Sequence, residues 1–399
     1  MKMELVTVSV AFAGVAIASL VAYQTVFLLL GLCVRNRRLT SPGTSPQSRF
    51  VVLVPAHNEA KLIGQSVASI VACDYPRDLF ELIVIADNCG DDTAALARQA
   101  GANVFERHDL TQRGKPFALN WAISRLDLNR YDAVVIVDAD TGIHRQFLRA
   151  MDARLANGEQ AIQGYFGVAN HDENWLTRLS VVPASVKFRL HFPGKRVLGL
   201  SCPLAGNGMC FSVDVIRRFG WRAFSITENW EYYVMLTLQG IVTTSAAEAI
   251  IYSQVARSLK LGETQRLRWM KGQIETLAQY WRPLLKQGLF EPSALKLDAL
   301  TELARPSHVN LLFMTLAYLA LCVVLWSFGL DVQTWLVLAS VLLALQALYF
   351  LVGLALERPP LRTWLALANV PLYIAWKLGV SLRGLLTLSD RTWIKTDRN

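Results

Sequence analysis

Residues 50–60 read FVVLVPAHNEA, an apolar run that stops at a proline and a polar cluster. The run Phe50–Val54 consists mainly of valine and phenylalanine, residues that favour strands. A continuous apolar run followed by turn residues indicates a strand buried on both faces. Leu82–Ala86 and Ala133–Val137 have the same form and are followed by acidic residues. The sequence therefore predicts three buried strands.

An amphipathic helical pattern follows each run, at Leu62–Val71, Thr93–Ala100 and Phe117–Leu126. Strands that alternate with helices predict an α/β fold with a mixed, mostly parallel sheet covered on both faces. Ligands of such sheets bind beyond the carboxyl ends of the strands. Those ends read VPAHNEA, ADNCGDD and VDADTG, so we expect three polar clusters to form one site.

The composition indicates a membrane protein. The 399 residues are 53% apolar and 18% charged, with a mean hydropathy of +0.31, which argues against a disordered chain and an ordinary soluble enzyme. Leu5–Val34 and Val332–Leu356 contain no charged residue. Because about 20 apolar residues cross the hydrocarbon core, both are predicted to span a bilayer. A further span fits between Arg305 and Asp331.

The basic residues predict the orientation. Only Lys2 precedes the first span, whereas three arginines follow it closely. Basic residues stay on the cytosolic side, so we expect the N-terminus outside and the block after the first span in the cytosol, at an inner or plasma membrane. The first apolar run is too long for a signal peptide and lacks a small-residue cleavage site.

The last apolar run, Thr363–Trp376, has only 14 residues. It is predicted to be an interfacial or re-entrant helix, although Lys377 could snorkel and extend it to a fourth span. Three spans are preferred, because the basic tail then faces the anionic leaflet. The predicted organisation is a transmembrane helix at 1–38, a cytosolic domain at 39–300 and a C-terminal membrane region at 301–399.

Charge and cysteine content narrow the partners. Lys and Arg number 40 against 31 Asp and Glu, a net charge of +9. The sequence contains no basic stripe interleaved with aromatic residues, so it does not predict nucleic-acid binding. The basic residues instead cluster beside apolar segments, where anionic lipid attracts them: Arg35, Arg37, Arg38, Arg383, Arg391, Lys395 and Arg398. The six cysteines form no CxxC pair and are expected to be reduced.

Asp138 and Asp140 are two residues apart, so in an extended chain their side chains point the same way. Two carboxylates at a strand end suit Mg²⁺ or Mn²⁺, which shares its other positions between water and phosphate oxygens. A solvated acid pair is the alternative, and the position after a buried strand favours the metal. Asp87 also ends a strand and is expected to face the cleft, where it can accept hydrogen bonds from a base or ribose.

Four other segments contain candidate functional residues. Two of them allow both a functional and a structural role, and the other two have only a structural role. Asp91 precedes a helix and is interpreted as its N-cap. Lys115 lies on a loop and could bind a diphosphate or only be solvated. The loop at 206–208 is predicted to precede a helix, where its glycines permit close approach to substrate or only a turn. Thr227–Glu231, TENWE, is typical of a helix start.

The stretch QRLRW places three functional side chains on one helical face. Gln265, Arg268 and Trp269 are spaced at i, i+3 and i+4. A guanidinium presents a planar fork to phosphate, and an indole offers a flat surface to a sugar ring. The alternative is a membrane-proximal amphipathic helix with a tryptophan at the headgroups.

In order, these segments resemble the membrane-bound family-2 glycosyltransferases, which include cellulose, chitin, hyaluronan and poly-N-acetylglucosamine synthases. The resemblance runs from about Phe50 to Gln273. VPAHNEA and DNCGDD are similar to the nucleotide-binding motifs, QRGKPFALN to the R-G-K loop and DAD to the metal motif. GNG is similar to the acceptor glycine loop, and QRLRW to Q-x-x-R-W, the most specific of these motifs.

The resemblance implies a GT-A fold, a nucleotide-diphosphate sugar donor, Mg²⁺ or Mn²⁺, and transfer with inversion. The implied nucleotide-sugar residues are Pro55, Ala56, Asn58, Glu59, Asp87, Lys115 and Asp138. Among them, Asp87 would contact uracil and Lys115 the phosphates. The implied acceptor and diphosphate residues are Gly206, Asn207, Gly208, Gln265, Arg268 and Trp269. Asp140, with Asp138, would hold the metal.

One position departs from the family pattern. The family usually has T-E-D, whose aspartate is the general base, and Asn229 stands there in this chain. Either Glu228 or Glu231 substitutes, or the chain is an inactivated variant, or this subgroup works differently. We take Glu228 as the hypothetical base, although on a helix it points about 100° away from residue 229.

Three functions are compatible with this sequence. The first is a synthase that builds a β-linked polysaccharide or oligosaccharide from a UDP-sugar at the cytosolic face, as a homo-oligomer or with an export partner where a channel is needed. The second transfers one sugar to a lipid or lipid-linked acceptor. The third is a non-catalytic nucleotide-sugar sensor or scaffold, which Asn229 keeps open.

Overall fold

The computed structural model describes residues 2–34 and 45–387. Eight strands form one sheet: β1 (Phe50–Ala56), β2 (Phe80–Asp87), β3 (Asn103–Arg107), β4 (Ala133–Ile136), β5 (Thr141–Ile143), β6 (Ala161–Val168), β7 (Met209–Ser212) and β8 (Thr243–Ser253). Their order across the sheet is β3-β2-β1-β4-β7-β6-β8-β5. β1 is parallel to β2 and β4, and β2 to β3. The predicted α/β class with a mixed, mostly parallel sheet is confirmed.

The helices around the sheet are α2 (Ile63–Val71), α3 (Thr93–Gln99), α4 (Lys115–Ile123), α5 (Phe147–Ala156), α6 (Trp175–Ser185), α7 (Phe192–Val197), α8 (Val213–Phe219), α9 (Glu228–Leu238), α10 (Leu259–Phe290) and α11 (Ala294–Ala304). A π-helical segment, Val186–His191, joins α6 to α7. Short 3₁₀ turns occupy Arg77–Leu79 and Leu128–Arg130.

The central strand β1 explains why its sequence is apolar throughout. Successive side chains of a strand point to opposite faces of the sheet. Val52 and Val54 pack on the side covered by α2, α3 and α5, whereas Val51 and Leu53 pack on the side covered by α4, α8 and α9. All four are fully buried. Both faces therefore carry a hydrophobic core, and neither tolerates a polar residue at these positions.

The loop at 206–208 leads into β7 and not into a helix, so that prediction is wrong. Met209 and the two residues after it are buried, and β7 pairs antiparallel with both β4 and β6. Tertiary pairing decides the conformation here, because a run of four residues carries no clear helical or strand period. α8 begins only at Val213.

The remaining helices are α1 (Lys2–Val34), α12 (His308–Ser327), α13 (Gln333–Leu356), α14 (Leu361–Leu365) and, after a 3₁₀ turn at Ala366–Asn369, α15 (Val370–Leu386). Among the described residues, four helical segments are long and apolar enough to cross a membrane: Leu5–Val34, His308–Ser327, Gln333–Leu356 and Leu361–Gly384. The fourth exceeds the predicted 14-residue run, because the helix continues past Lys377. The predicted basic clusters at 35–38 and 391–398 lie outside the described residues.

These helices pack in two groups. α1, α12 and α13 share an apolar core that includes Val21, Tyr318 and Leu342. α14 and α15 instead pack on α6 and the start of α10, where Tyr373 and Leu176 belong to one buried cluster. The last apolar segment thus contacts the helices around the sheet as well as the three-helix group.

A buried polar cluster fastens α1 to the helices that surround the sheet. The Lys195 ammonium lies 2.7 Å from Asp298 and 3.0 Å from Glu302, and the Tyr23 hydroxyl donates to Asp298 over 2.8 Å. His191 contacts Glu302 at 2.9 Å, and burial lowers the pKa of this imidazole to about 4, so it is neutral. The carboxylates lie on α11, and the predicted domain boundary at residue 300 falls inside that helix.

Two glycines bring α1 into backbone contact with the same region. A Cβ at Gly31 would lie 2.4 Å from the carbonyl oxygen of Leu190, and one at Gly194 would lie 2.6 Å from that of Phe27. Neither distance is possible for a real side chain, so both sites require glycine. α1 and the segment from the π-helix to α7 therefore pack main chain against main chain.

Candidate active site

The carboxyl ends of β1, β2 and β4 meet at one edge of the sheet, as their parallel registers require. Pro55 and Ala56 are the last residues of β1, and Asp87 is the last residue of β2. Asn58 and Glu59 lie in the turn after β1. The structure therefore brings together the polar clusters that the sequence places after each strand.

Asp87 is buried and already paired. Its Oδ1 accepts hydrogen bonds from Arg107 Nη1 at 2.6 Å and from Asn88 Nδ2 at 3.0 Å, and the Gly114 amide lies 3.4 Å from Oδ2. Arg107 also binds Asp109 at 2.9 Å. The carboxylate assigned to uracil thus shares its charge with a buried arginine that sequence reasoning missed. Arg107 pairs with Asp87 across the neighbouring strands β2 and β3, and this register is the feature that could have identified it.

The turns after β1 and β2 are tied to each other. Asn58 has a φ of +53°, and its Oδ1 accepts a hydrogen bond from the Gly90 amide at 2.8 Å. Asp91 accepts from the amides of Ala60 and Thr93. Partial burial raises the pKa of Asp91, but the hydrogen bonds from Thr93 outweigh it and hold that pKa below its ordinary value.

Asp91 was predicted as the N-cap of α3, and this is wrong by one residue: the N-cap position is Asp92, which makes no capping bond with its side chain. Asp91 still accepts the amide proton of Thr93, at the first turn of the helix. Its second oxygen is used by Ala60 in the turn after β1. The carboxylate therefore joins two turns and does more than end a helix.

The DAD segment forms a turn and is not extended, contrary to the expectation that its side chains project in parallel from a strand. The Thr141 amide donates to the carbonyl of Asp138 at 3.1 Å. Asn207 Oδ1 accepts the Asp138 amide proton at 3.0 Å. Its Nδ2 donates to Thr141 Oγ1 at 2.7 Å and to Ser253 Oγ at 3.0 Å. Thr141 Oγ1 in turn donates to Asp140 Oδ1 at 3.2 Å.

Asn207 was expected to contact the acceptor or the diphosphate, and this arrangement places it elsewhere. Its amide group is buried and turned toward the DAD turn, and no longer available to an acceptor. Gly206 and Gly208 have φ values of +85° and +63°, a region that glycine adopts without strain. The two glycines therefore shape the loop that delivers Asn207 to the turn.

The two aspartates fit a divalent ion that is bound together with a diphosphate. No group of three or more His, Cys, Asp or Glu side chains within residues 2–34 and 45–387 is placed to hold a metal. A cage made wholly of protein ligands, such as Zn²⁺ takes in structural sites, is thus not built by this part of the chain. Mg²⁺ and Mn²⁺ need only one or two carboxylates and complete their shell with water and phosphate oxygens.

Lys115 lies at the centre of the site. As the first residue of α4, it places Nζ 2.5 Å from Asp138 Oδ1 and 3.7 Å from Glu228 Oε1, and it also donates to the carbonyl of Gly206. Burial lowers the pKa of Lys115, but Asp138 and Glu228 outweigh it and leave the pKa raised. The ammonium is therefore a fixed positive charge beside the DAD turn.

Glu228 faces this charge. It is the first residue of α9, and burial raises the pKa of its carboxyl above the ordinary value, while Lys115 and Arg268 act in the opposite direction. Arg268 of α10 is thus close enough to act on the same carboxylate. The structure brings Lys115, Asp138, Glu228 and Arg268 together, from four separate parts of the chain.

Asn229, at the family's base position, and Glu231, the alternative base, have other contacts. Asn229 Nδ2 donates to the carbonyl of Leu204 at 2.6 Å. Glu231 accepts the Ser225 amide proton at 2.8 Å and the Tyr280 hydroxyl proton at 3.2 Å. Both oxygens of Glu231 thus accept hydrogen bonds from within the fold, whereas Glu228 faces Lys115. TENWE does begin a helix, as expected.

The QRLRW stretch is helical, as predicted, and belongs to the first half of α10. Gly272, one turn after Arg268, packs against the side chain of Thr227: a Cβ there would lie 2.3 Å away. This contact places the face with Gln265, Arg268 and Trp269 beside the start of α9. Trp269 is 49% exposed, so its ring remains available to a ligand.

Comparison with known proteins agrees with this geometry. The profile of a family described as "Glycosyltransferase like family 2" matches residues 46–272, more than half of the chain. The probable glycosyltransferase YdaM of Bacillus subtilis is 26% identical over 60% of this chain and 60% of its own length. A β-monoglucosyldiacylglycerol synthase of Synechocystis is 27% identical over 61% of this chain and 52% of its own. The chain thus spans about half to three fifths of these relatives.

A solved structure shares the fold. The mannosyltransferase PcManGT from Pyrobaculum calidifontis, in complex with GDP-Man and Mn²⁺, matches with a TM-score of 0.51 at 18% identity. The match covers 86% of this chain and 99% of that one. At this identity the likeness bears on the fold alone, which is GT-A. By the profile that spans its catalytic domain, this chain belongs to the glycosyltransferase family 2.

Proposed function

We propose that this protein is a membrane-bound, inverting glycosyltransferase. It moves a single sugar from a nucleotide-diphosphate donor, a UDP-sugar, to a hydroxyl group of a membrane lipid. The observation that carries the proposal is the meeting of Lys115, Glu228 and Arg268 beside the DAD turn. A buried carboxylate and two cations at this place suit a reaction with a diphosphate leaving group.

The chemical roles follow from charge and position. The departing diphosphate needs positive charge, which Lys115 and Arg268 supply. A divalent ion held by Asp138 and Asp140 would neutralise the same group when bound. The acceptor hydroxyl must lose a proton as it attacks, and we assign Glu228 as the base, because burial raises its pKa toward the range in which a carboxylate accepts a proton efficiently.

The donor is assigned to the edge formed by β1 and β2. We propose that the nucleotide lies against Pro55, Ala56, Asn58 and Glu59, with its base near Asp87. Arg107 holds the Asp87 carboxylate in place, so the pair would present a rigid polar surface to the base. The donor sugar and diphosphate would then reach the DAD turn and Lys115.

A lipid acceptor is supported by the surroundings of α10. The exposed ring of Trp269 lies on a helix whose first half also packs against the apolar helix α15. An acceptor that enters from the bilayer would therefore meet the QRLRW face before it meets the base. The relative from Synechocystis is named for a glucosyl-diacylglycerol product, which is consistent with such an acceptor here.

A second candidate is repeated addition of sugars to give a β-linked polysaccharide or oligosaccharide. The observation that favours it is the QRLRW helix itself, which resembles the Q-x-x-R-W helix of the processive synthases. Export of a polymer would call for a homo-oligomer or a partner, because α1, α12 and α13 form a closely packed group.

The test uses the purified full chain in lipid vesicles with a panel of UDP- and GDP-sugars, Mg²⁺ or Mn²⁺, and diacylglycerol. We expect one donor to give a glycolipid one hexose heavier than the acceptor, with release of nucleotide diphosphate. A ladder of products would favour the synthase. Donor binding without any release of nucleotide diphosphate in the presence of diacylglycerol would favour the non-catalytic sensor and contradict the proposal.

A further inference from the structure

One face of α10 packs on α15. Gly262, Arg266 and Met270 are spaced at i, i+4 and i+8 and form this face. Trp376 lies against Gly262, and Met270 lies against Gly384. α10 thus carries Arg268 on nearly the opposite side from its contact with the last apolar helix.

The contacts of α15 indicate that it lies along the membrane surface. Asn310, in the first turn of α12, donates to Ser381 Oγ at 3.4 Å. Ser381 is eleven residues into α15, about 16 Å along the helix axis. A helix that descended into the bilayer beside α12 would have passed the start of α12 by that point. Gly384, still further along, touches α10 of the catalytic domain.

The outer side of this segment is apolar. Large exposed side chains recur at helical spacing along α14 and α15: Leu361, Leu365, Leu372, Leu382 and Leu386. An amphipathic helix of this kind buries its apolar face at the boundary between headgroups and acyl chains. The segment also belongs to a stretch that is long and apolar enough to cross a membrane, so we take the bilayer as the partner of the stripe.

Two cations lie together at this boundary. Arg266 donates to the Tyr373 hydroxyl at 3.0 Å, and its guanidinium lies 4.9 Å from the centre of the Trp376 ring. Lys377 follows Tyr373 by one helical turn, so it lies on the same face of α15 as the tyrosine that Arg266 contacts. Within the described residues, neither side chain forms an ion pair with a carboxylate. The nearby Glu263 is paired with Arg383 at 2.6 Å.

We propose that Arg266 and Lys377 bind the phosphate group of an anionic phospholipid. Two adjacent like charges repel each other, and a phosphate between them would relieve that repulsion. Arginine suits a phosphate because its fork can donate two hydrogen bonds, and lysine adds a compact charge. The apolar stripe places the pair at headgroup depth. The proposal rests on attachment to a membrane and does not depend on sugar transfer.

Such a site would dock the QRLRW helix on anionic lipid. Arg266 and Arg268 belong to the same helix and point to different sides, so a lipid held by the first fixes the position of the second. The membrane surface would then set the distance between the bilayer and the catalytic residues.

The test measures lipid binding directly. The full chain is reconstituted in phosphatidylcholine vesicles that contain spin-labelled phosphatidylglycerol or spin-labelled phosphatidylcholine, and the protein-bound fraction of each label is compared. We expect a preference for phosphatidylglycerol that falls about fivefold in Lys377→Gln, from the contribution of one basic residue at a membrane surface. Lys377→Arg keeps the charge and is expected to keep the preference.

Arg383→Gln is the matched control, because it removes the same charge from the same helix at a residue already paired with Glu263. It is expected to lower the preference less than Lys377→Gln does, because the Arg383 charge is already partly neutralised by Glu263. Wild-type preference in Lys377→Gln, or an equal loss in Arg383→Gln, would overturn the proposal. So would complete displacement of the labelled lipid by inorganic phosphate, because the ligand would then be a soluble anion. These outcomes are read without any donor sugar, so they are independent of catalysis.

Discussion

At the scale of single residues, Glu228 decides whether the site is catalytic. Glu228→Gln keeps the size of the side chain but cannot accept a proton. We expect the rate of sugar transfer to fall by about 10²–10⁴-fold, the usual contribution of a general base. The measurement is the initial rate of nucleotide diphosphate release in the presence of acceptor.

Two neighbouring substitutions serve as controls. Glu231→Gln disturbs a carboxylate that holds Ser225 and Tyr280, so it is expected to lower thermal stability more than the rate. Full activity in Glu228→Gln would remove Glu228 from the mechanism. A large gain in Asn229→Asp would show instead that the natural chain lacks its base.

The pH dependence gives a second prediction. A base acts only when deprotonated, so kcat/KM is expected to fall as the pH falls through the pKa of Glu228. Burial raises that pKa, which places this decline at higher pH than for a solvated glutamate. Lys115 lowers the pKa of Glu228, so in Lys115→Met the decline should move to still higher pH, in addition to weaker donor binding. A decline that moves to lower pH would mean that another group titrates.

A third prediction concerns the hydroxyl that links the DAD turn to Asn207. Thr141→Val keeps the shape but removes the contacts with Asp140, Asn207 and Ser253. We expect Mn²⁺ to bind about tenfold more weakly, as for other residues that orient metal ligands. Titration of free Mn²⁺ by electron paramagnetic resonance measures this without donor. Thr141→Ser retains the hydroxyl and is the control; equal binding in both variants would contradict the assignment.

Some of these residues could be named from the sequence, and others could not. Asp138 follows a buried strand and Lys115 precedes a helical pattern, so local pattern was enough to single them out. Glu228 was named only from the resemblance to the family motif. Arg107 and Asn207 depend on pairing between distant strands. No local period reports such a contact, which is why their side-chain partners were not foreseen.

At the scale of elements, the contact between α10 and the start of α9 carries a prediction. Gly272→Ala favours the helix by up to about 1 kcal/mol in isolation, yet its Cβ would lie 2.3 Å from Thr227. α10 must therefore shift away from Glu228. We expect a clear loss of transfer activity in Gly272→Ala despite the better helix propensity, measured as kcat at saturating donor.

Gly64→Ala is the control for this change, since a Cβ at this helical glycine of α2 meets nothing within 4 Å. It is expected to keep both activity and stability. Unchanged activity in Gly272→Ala would mean that the position of α10 does not matter to the reaction.

The long, regular elements were predictable and the short ones were not. β1, β2 and α2 follow from continuous apolar runs and helical spacing, and their ends shift by only one or two residues. β5 has three residues and exists because it pairs with β8. The turn at DAD was read as extended for the same reason: its shape is set by Asn207, from another part of the chain.

At the scale of the whole molecule, the chain is expected to cross the membrane three times. α15 touches α12 near its first turn and α10 further along, which favours a helix on the cytosolic surface. A fluorescent protein fused to the C-terminus is expected to fluoresce, and alkaline phosphatase at the same site to be inactive. Active phosphatase would mean that the last helix crosses the bilayer.

The order of spans and strands was predicted better than the contacts that hold these elements together. Apolar runs with no charge reveal spans directly, and alternating strands and helices reveal the sheet. The attachment of α11 to the catalytic domain through Lys195, Asp298 and Glu302 was not visible in the sequence. Buried ion pairs between distant elements have no local pattern.

The main-chain contacts at Gly31 and Gly194 make the joint between the first helix and the domain rigid. A helix of about 45 Å, from Leu5 to Val34, is longer than the roughly 30 Å of hydrocarbon around it. Its tilt must follow bilayer thickness, and the rigid joint passes that tilt to the sheet. Lipids with longer or shorter tails are thus expected to rotate the entire catalytic body relative to the membrane plane.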